Sequence, residues 1–190
     1  MNAKATRTIL SRSRLASGLS GLTLVELTVA ITVMVIALCA TASTVVTTNA
    51  LNRQSHETAV ARKAAESMME ALRNTSIQTV FARYNVATSD DPGGAGTAPG
   101  ANFVVEGLTP VAGAPGGVAG HIFFPSAGPD LRENVVDPTL GMPRDLSGDI
   151  LQDGFDHSAD YFVLPVRVRV TWTGKSGPRF VELQTLLSGI

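Results

Sequence analysis

Between Leu22 and Asp91 the sequence contains neither glycine nor proline. These two residues usually mark boundaries between secondary-structure elements, so their absence over so long a stretch predicts continuous helix. The chain also has only one cysteine, Cys39, which excludes a disulfide within one molecule. Charged residues make up 16% of the 190 residues and hydrophobic residues 44%, a balance that indicates a membrane segment.

Charge is distributed unevenly along the chain. The first 21 residues contain no acid but hold four of the fifteen basic residues, which are Lys4, Arg7, Arg12 and Arg14. The remaining eleven basic residues face sixteen acidic ones, so the rest of the chain carries a formal net charge of -5. Residues 22–190 therefore lack the excess of basic residues that is typical of nucleic-acid-binding proteins, so nucleic acid is not an expected partner.

An apolar run extends from Leu22 to about Val46, and Glu26 is its only charged residue. A membrane-spanning helix needs about 20 mostly apolar residues, which this run supplies. The basic residues before it predict a cytoplasmic N-terminus, with the rest of the chain outside the inner membrane. The serine and threonine hydroxyls in the run can bond to backbone carbonyls of the preceding turn.

After the apolar run the pattern becomes amphipathic. Ala61, Ala65, Met68 and Leu72 recur at three- to four-residue spacing, which predicts one buried helix face. We therefore predict one continuous helix over residues 22–83, roughly 90 Å long at about 1.5 Å per residue. Its transmembrane half covers residues 22–48 and its amphipathic half residues 49–84.

Residues 85–190 are predicted to form a β-rich head with loops rich in glycine and proline. Asp91 to Gly120 holds nine glycines and four prolines, which predicts loop interrupted by a short strand over residues 103–106. A second short strand is predicted over residues 121–124. The fold class expected for the whole chain is α+β, with the long helix packed on a small antiparallel sheet.

The end of the chain predicts a β-hairpin. In YFVLPVRVRVTW, residues 161–172, valines alternate with arginines, as in a strand with one buried face. TGKSGP, residues 173–178, reads as a turn, and residues 179–187 as the returning strand.

The stretch Gly21-Leu22-Thr23-Leu24-Val25-Glu26 resembles the cleavage and methylation site of type IV prepilins and type II secretion pseudopilins. In that family a basic leader precedes a glycine, an aromatic or apolar residue, Thr or Ser, Leu, an aliphatic residue and Glu, and a membrane-spanning helix follows. This chain has Leu22 where the family usually has phenylalanine. The ARKAAESMMEALR segment and the closing hairpin also resemble minor pilins and minor pseudopilins.

The resemblance implies a structural subunit and no enzyme. Prepilin peptidase would remove the basic leader, residues 1–21, after Gly21 and methylate the new amine of Leu22. Glu26 would pair with that amine on a neighbouring subunit, because a buried charge is tolerated when it is paired. An inner-membrane assembly platform would move the subunit from membrane lipid into a filament, with the C-terminal domain in the periplasm. A DNA-uptake competence pseudopilin is an alternative within the family.

Two other interpretations stay open. Glu26 could simply lie at the headgroup boundary of a plain membrane anchor. Ala40-Thr41-Ala42 has the A-x-A form cleaved by ordinary signal peptidase, which would leave a secreted or membrane-anchored binding domain beginning at Ser43. The helical pattern continues past Ala42 without a break, which counts against that cleavage.

Four oxygen-bearing side chains follow one another at spacings of two, two and four residues, a pattern that suits calcium on a turn: Asp145, Ser147, Asp149 and Asp153. Some pseudopilins, by resemblance, bind calcium in the loop before the final strands. However, Ile150 stands where an EF-hand loop needs glycine, so a solvated acidic loop is the alternative. The three histidines form no ligand pair at helical spacing and are expected to be ordinary surface or packing residues.

Overall fold

The computed structural model describes residues 23–189, which fall into two compact units divided between Thr48 and Asn49. Within residues 23–189 the elements in chain order are two α-helices, six strands and two short 3₁₀ turns. They are α1 Leu24–Arg73, α2 Ile77–Tyr84, β1 Asn102–Phe103, a 3₁₀ turn Pro115–Gly117, β2 Gly120–Phe123, β3 Ser126–Ala127, β4 Asp130–Leu131, a 3₁₀ turn Pro138–Leu140, β5 Val163–Gly174 and β6 Gly177–Ser188.

The first unit contains the apolar part of α1. Within the described residues, α1 is the one helix long and apolar enough to cross a membrane, and its side chains from Leu24 to Asn49 are exposed. The predicted bonding of hydroxyls to the preceding turn is confirmed at seven positions. These are Thr28, Thr32, Thr41, Ser43, Thr44, Thr47 and Thr48, at donor–acceptor distances of 2.7–3.0 Å.

The prediction of one unbroken helix to residue 83 is wrong. α1 ends at Arg73, and α2 begins at Ile77 after a short polar break. The Thr75 N–H bonds to the carbonyl of Leu72 in a tightened last turn, and Ser76 adopts an extended conformation with φ -57° and ψ 131°. Asn, Thr and Ser favour helix ends because their side chains compete for backbone hydrogen bonds, so three in succession end a helix without glycine or proline.

The predicted α+β class is confirmed in the second unit by an antiparallel sheet of strand order β1-β2-β5-β6. β5 and β6 are twelve residues each and form the predicted hairpin, but the turn predicted over residues 173–178 is only two residues long, because Thr173 pairs with Pro178 and Gly174 with Gly177. Gly177 has a φ of +115°, which favours glycine. The buried face is also as predicted, since Val166, Val168 and Val170 are fully buried.

The second half of α1 packs on this sheet through small residues and two larger anchors. Ala61 and Ala65 are fully buried, and Leu72 and Met69 complete the contact. Met68, which the spacing had placed on this face, is only partly buried at its margin.

The remaining strands are short. β1 covers only Asn102–Phe103, so the strand predicted over residues 103–106 is displaced and shortened, and Gly107 follows with a φ of +80°. β2 lies at Gly120–Phe123, one residue before the predicted strand, and pairs with β5. β3 and β4 form a separate two-stranded ribbon. Between β4 and β5 a long loop, residues 132–162, carries seven of the sixteen acidic side chains of the sequence.

Candidate functional site

The start of α1 carries a reciprocal pair of hydrogen bonds between Thr23 and Glu26. The Thr23 backbone N–H and hydroxyl each lie 3.0 Å from Glu26 Oε2. In return, the Glu26 backbone N–H donates to Thr23 Oγ1 over 3.2 Å. This is a capping box, which satisfies two of the N–H groups that a helix start leaves without partners.

The capping box gives Glu26 a local structural role that the sequence interpretation missed, although Thr23-x-x-Glu26 has the spacing of a capping box. A carboxylate in the first turn of a helix is also stabilised by the positive end of the helix dipole. Gly21 and Leu22, the predicted processing residues, lie outside the described residues. The described part of the motif therefore begins at Thr23, with the helix starting one residue later.

The predicted calcium residues lie in the long loop before β5, where Asp145 organises a tight turn. Its carboxylate accepts backbone N–H groups from Gly148 over 2.5 Å and from Ile150 over 2.8 Å. Ser147 Oγ lies 3.5 Å from the same carboxylate. The hydrogen bond from Gly148 is the main cause that lowers the pKa of Asp145 below its ordinary value. Much of the acceptor capacity of Asp145 is thus used within the loop itself.

Glu133 lies at the centre of the acidic side chains and is fully buried. Its Oε1 accepts the backbone N–H groups of Leu146 over 2.6 Å and Ser147 over 2.9 Å. Its Oε2 has no hydrogen-bond partner among the described residues. A buried carboxylate oxygen without a partner is costly, so Oε2 marks a place where a positively charged group would be stabilised.

His157 is the side chain that faces this oxygen, and it is 6% exposed. Its Nε2 lies 3.8 Å from Glu133 Oε2 and 3.1 Å from Asp153 Oδ1. Its Nδ1 lies 3.2 Å from Asp160 Oδ1 on the opposite side of the ring. The backbone N–H of His157 donates to the carbonyl of Leu131 over 2.8 Å, which anchors the loop to β4.

Electrostatics in this cluster favour positive charge. Burial of the His157 ring lowers its pKa, but the carboxylates of Asp153, Glu133 and Asp160 outweigh burial and raise the pKa above its ordinary value. The pKa of Asp153 is lowered, chiefly because its carboxylate accepts the Phe155 backbone N–H and also through its contact with His157.

The structure divides the three aspartates of the predicted ligand set between two groups that share Glu133. Asp145 and Asp149 lie with Glu133, and one oxygen of each falls within 4.8 Å of the others. Asp153 instead lies with Glu133 and His157, and one oxygen or nitrogen atom of each of these side chains is within 4.8 Å of the others. Calcium binding by the predicted set of four remains a prediction.

Sequence reasoning missed Glu133 and His157 as members of one cluster. Glu133 is 20 residues from Asp153 in sequence, and no spacing rule connects the two positions. A signal did exist for His157, because carboxylates precede it by four residues and follow it by three, at Asp153 and Asp160.

A scan against protein-family models, a search of curated proteins and a search of solved structures each find no match to this chain.

Proposed function

We propose that this chain is a minor pilin or pseudopilin, a structural subunit of a filament assembled from the inner membrane. The observation that carries the proposal is the placement of the prepilin-like motif at the head of α1. The motif ends in a capping box at Thr23 and Glu26, and the helix that follows is long and apolar enough to span a membrane. In the second unit the same helix packs on a small antiparallel sheet, the layout expected for a pilin.

Maturation in this proposal is cleavage after Gly21 by prepilin peptidase, followed by methylation of the Leu22 amine. The helix would then begin two residues after the new N-terminus. The continuity of α1 through Ala42 supports this route over cleavage at the A-x-A sequence, because a bond in mid-helix is a poor protease substrate.

Assembly in this proposal replaces lipid around the apolar half of α1 by the helices of neighbouring subunits. Exposed apolar side chains such as Leu27, Ile31 and Ile36 supply the contact surface. The C-terminal domain stays in the periplasm and contributes lateral contacts. Glu26 would pair with the amine of a neighbour while Thr23 holds its carboxylate at the helix start.

The first experiment is mass spectrometry of the mature N-terminus after co-expression with prepilin peptidase. The proposal expects a chain beginning at N-methylated Leu22, and expects Gly21→Ala to leave the leader attached. A chain that begins at Ser43, or one that remains uncut beside an active peptidase, contradicts the proposal and favours an anchored or secreted binding domain.

A second experiment separates the two roles of Glu26. Gln at this position can still complete a capping box but carries no charge, whereas Ala does neither. If charge pairing drives assembly, both Glu26→Gln and Glu26→Ala reduce incorporation into filaments, measured by co-purification with the other subunits. If Glu26→Gln assembles like wild type, the pairing role is wrong and capping alone accounts for the residue.

A further inference from the structure

The side chains of Glu133, Asp153 and His157 bring three atoms that can ligate a metal close together in the long loop before β5. These atoms are Glu133 Oε2, Asp153 Oδ1 and His157 Nε2, all within 4.8 Å of one another. Two of the three residues, Glu133 and His157, are more than nine-tenths buried. The cluster is therefore more than an exposed set of acids, which solvent would stabilise without any ligand.

Glu133 Oε2, the oxygen without a hydrogen-bond partner, gives an independent reason to expect a ligand. The other oxygen of the same carboxylate, Oε1, accepts two backbone N–H groups. The carboxylate therefore cannot rotate to find a partner for Oε2 without losing these two hydrogen bonds. Within residues 23–189, the only basic nitrogen within 4.0 Å of Glu133 is His157 Nε2, at 3.8 Å. That separation exceeds the length of a hydrogen bond, which is about 3.2 Å at most for a well-formed one.

A proton on His157 therefore satisfies only part of the cluster. It can bridge Nε2 to Asp153 Oδ1, which lies 3.1 Å away, but it leaves Glu133 Oε2 without a partner. A metal ion between the three atoms would contact all of them at once. Tetrahedral ligands about 2.1 Å from zinc lie about 3.4 Å from one another, and the two separations from Nε2 fall on either side of that value.

The opposite side of the imidazole ring has the arrangement that metal-bound histidines use. Nδ1 lies 3.2 Å from Asp160 Oδ1, so its proton can be donated to that carboxylate. This hydrogen bond favours the tautomer with the proton on Nδ1, which leaves the Nε2 lone pair free for a metal. It also makes Nε2 more basic and therefore a stronger metal ligand. Asp153 is held in a similar way, since its Oδ1 accepts the Phe155 backbone N–H over 2.8 Å.

From this geometry we propose that Glu133, Asp153 and His157 form a binding site for one divalent transition-metal ion, with zinc as the representative ion. One imidazole nitrogen and two carboxylate oxygens are donors that zinc accepts, with water completing the coordination. Calcium and magnesium prefer all-oxygen sites, so the histidine distinguishes this site from the calcium site predicted for the acidic loop. The inference does not depend on the proposed filament function.

The test is calorimetric titration of the full-length chain in detergent with Zn²⁺ alone and, separately, with Ca²⁺ alone. Wild type is expected to bind one Zn²⁺ with a Kd below about 10 µM. His157→Gln and Asp153→Asn are each expected to weaken binding at least about tenfold. His121→Gln is the matched control, because His121 is also buried but contacts Asn102 and not the cluster. Asp149→Asn, in the other carboxylate group, should leave Zn²⁺ binding unchanged.

Nuclear magnetic resonance of the imidazole nitrogens keeps the proposal testable if His157→Gln does not fold. The chain has three histidines, so His56→Gln and His121→Gln assign their own signals and leave that of His157. Zn²⁺ should shift Nε2 of His157 and leave the other two rings unchanged. The proposal is overturned if wild type binds no Zn²⁺ with a Kd below about 10 µM, if the His157 signals do not respond, or if folded His157→Gln binds as tightly as wild type.

Discussion

Trp172 in β5 donates its indole N–H to the Glu57 carboxylate in α1, with 3.1 Å between Nε1 and Oε2. Trp172 is the largest fully buried side chain of the core, and this bond gives its one polar atom a partner. The contact connects positions 115 residues apart in sequence and fixes the helix along the central strand.

Replacing Glu57 therefore tests how much this contact stabilises the second unit. Glu57→Ala leaves the indole N–H buried without an acceptor, which should lower the free energy of unfolding by about 1–3 kcal/mol. Glu57→Gln keeps an acceptor oxygen and should cost less than half as much. Urea unfolding followed by Trp172 fluorescence measures both, and equal losses in the two variants would contradict a hydrogen-bonding role.

Tyr161 gives a second test, between the loop and α2. Its buried hydroxyl donates to the carbonyl of Ile77 and accepts the backbone N–H of Phe81 over 3.2 Å. Tyr161→Phe should destabilise the protein by about 1 kcal/mol because both backbone groups lose a partner. Tyr84→Phe is the matched control, since no hydrogen bond of that hydroxyl occurs within the described residues, and it should change stability by less than about 0.5 kcal/mol. Similar effects of the two substitutions would contradict the expected role of Tyr161.

Asp137 should make stability depend on pH in the acidic range. Its carboxylate accepts the Thr139 hydroxyl and the backbone N–H groups of Thr139 and Leu140, and lies 3.3 Å from Arg167 Nη2. The hydrogen bond from the Thr139 side chain, with the Arg167 charge, lowers the pKa of Asp137 below its ordinary value. A lowered folded-state pKa gives stability that is present above the unfolded-state pKa and is lost as pH falls through the folded-state value.

Asp137→Asn should accordingly be less stable than wild type by about 1 kcal/mol at pH 7, and the difference should shrink as pH falls below the ordinary aspartate pKa of about 3.9. Urea unfolding of both proteins across this range measures it. Glu106→Gln, at an exposed carboxylate, is the control for the effect of removing one negative charge. A difference between Asp137→Asn and wild type that stays constant with pH would show that the carboxylate charge does not contribute.

Ile150 is held in a conformation that its side chain disfavours. Its φ is +75°, its side chain is 90% exposed, and its N–H is fixed by Asp145. A β-branched residue in the left-handed region is strained by roughly 1–2 kcal/mol, and asparagine tolerates that region better. Ile150→Asn should therefore raise the free energy of unfolding by about 1 kcal/mol. Leu151→Asn, at a neighbouring exposed position, should bring no gain, and an equal gain there would show that replacing an exposed apolar side chain, and not relief of backbone strain, stabilises the protein.

The parts of the fold that sequence predicted are those with a local periodic signal. The apolar run, the α1 face at Ala61 and Ala65, and the alternating valines of β5 each repeat at the spacing of one element, so neighbours in sequence were sufficient to find them. The break after Arg73 was missed because no single residue causes it. Asn74, Thr75 and Ser76 are weak helix formers that end the helix together, whereas one glycine or proline can end a helix alone.

The candidate metal cluster could not be predicted in the same way. Its ligand atoms come together because the loop before β5 folds back on β4. One hydrogen bond that holds the loop there runs from the His157 backbone N–H to the carbonyl of Leu131. Such contacts depend on tertiary structure and leave no fixed spacing in the sequence. Burial is as important as proximity in identifying this site. Glu133 is fully buried, so water cannot solvate Oε2, and its lack of a protein partner therefore indicates a ligand.

The hydroxyl groups along the apolar half of α1 have a consequence for transfer between environments. Seven serine and threonine side chains bond to the helix's own carbonyls, so none needs a partner from outside the helix. In the proposed assembly the helix would therefore exchange a lipid neighbour for a protein neighbour without breaking any of these hydrogen bonds. Its small hydroxyl-bearing positions also leave room for another helix to approach closely. Under the proposed function, the hydroxyl groups of this segment would favour neither lipid nor protein neighbours, and the direction of transfer would depend on the groups at its ends, such as Glu26.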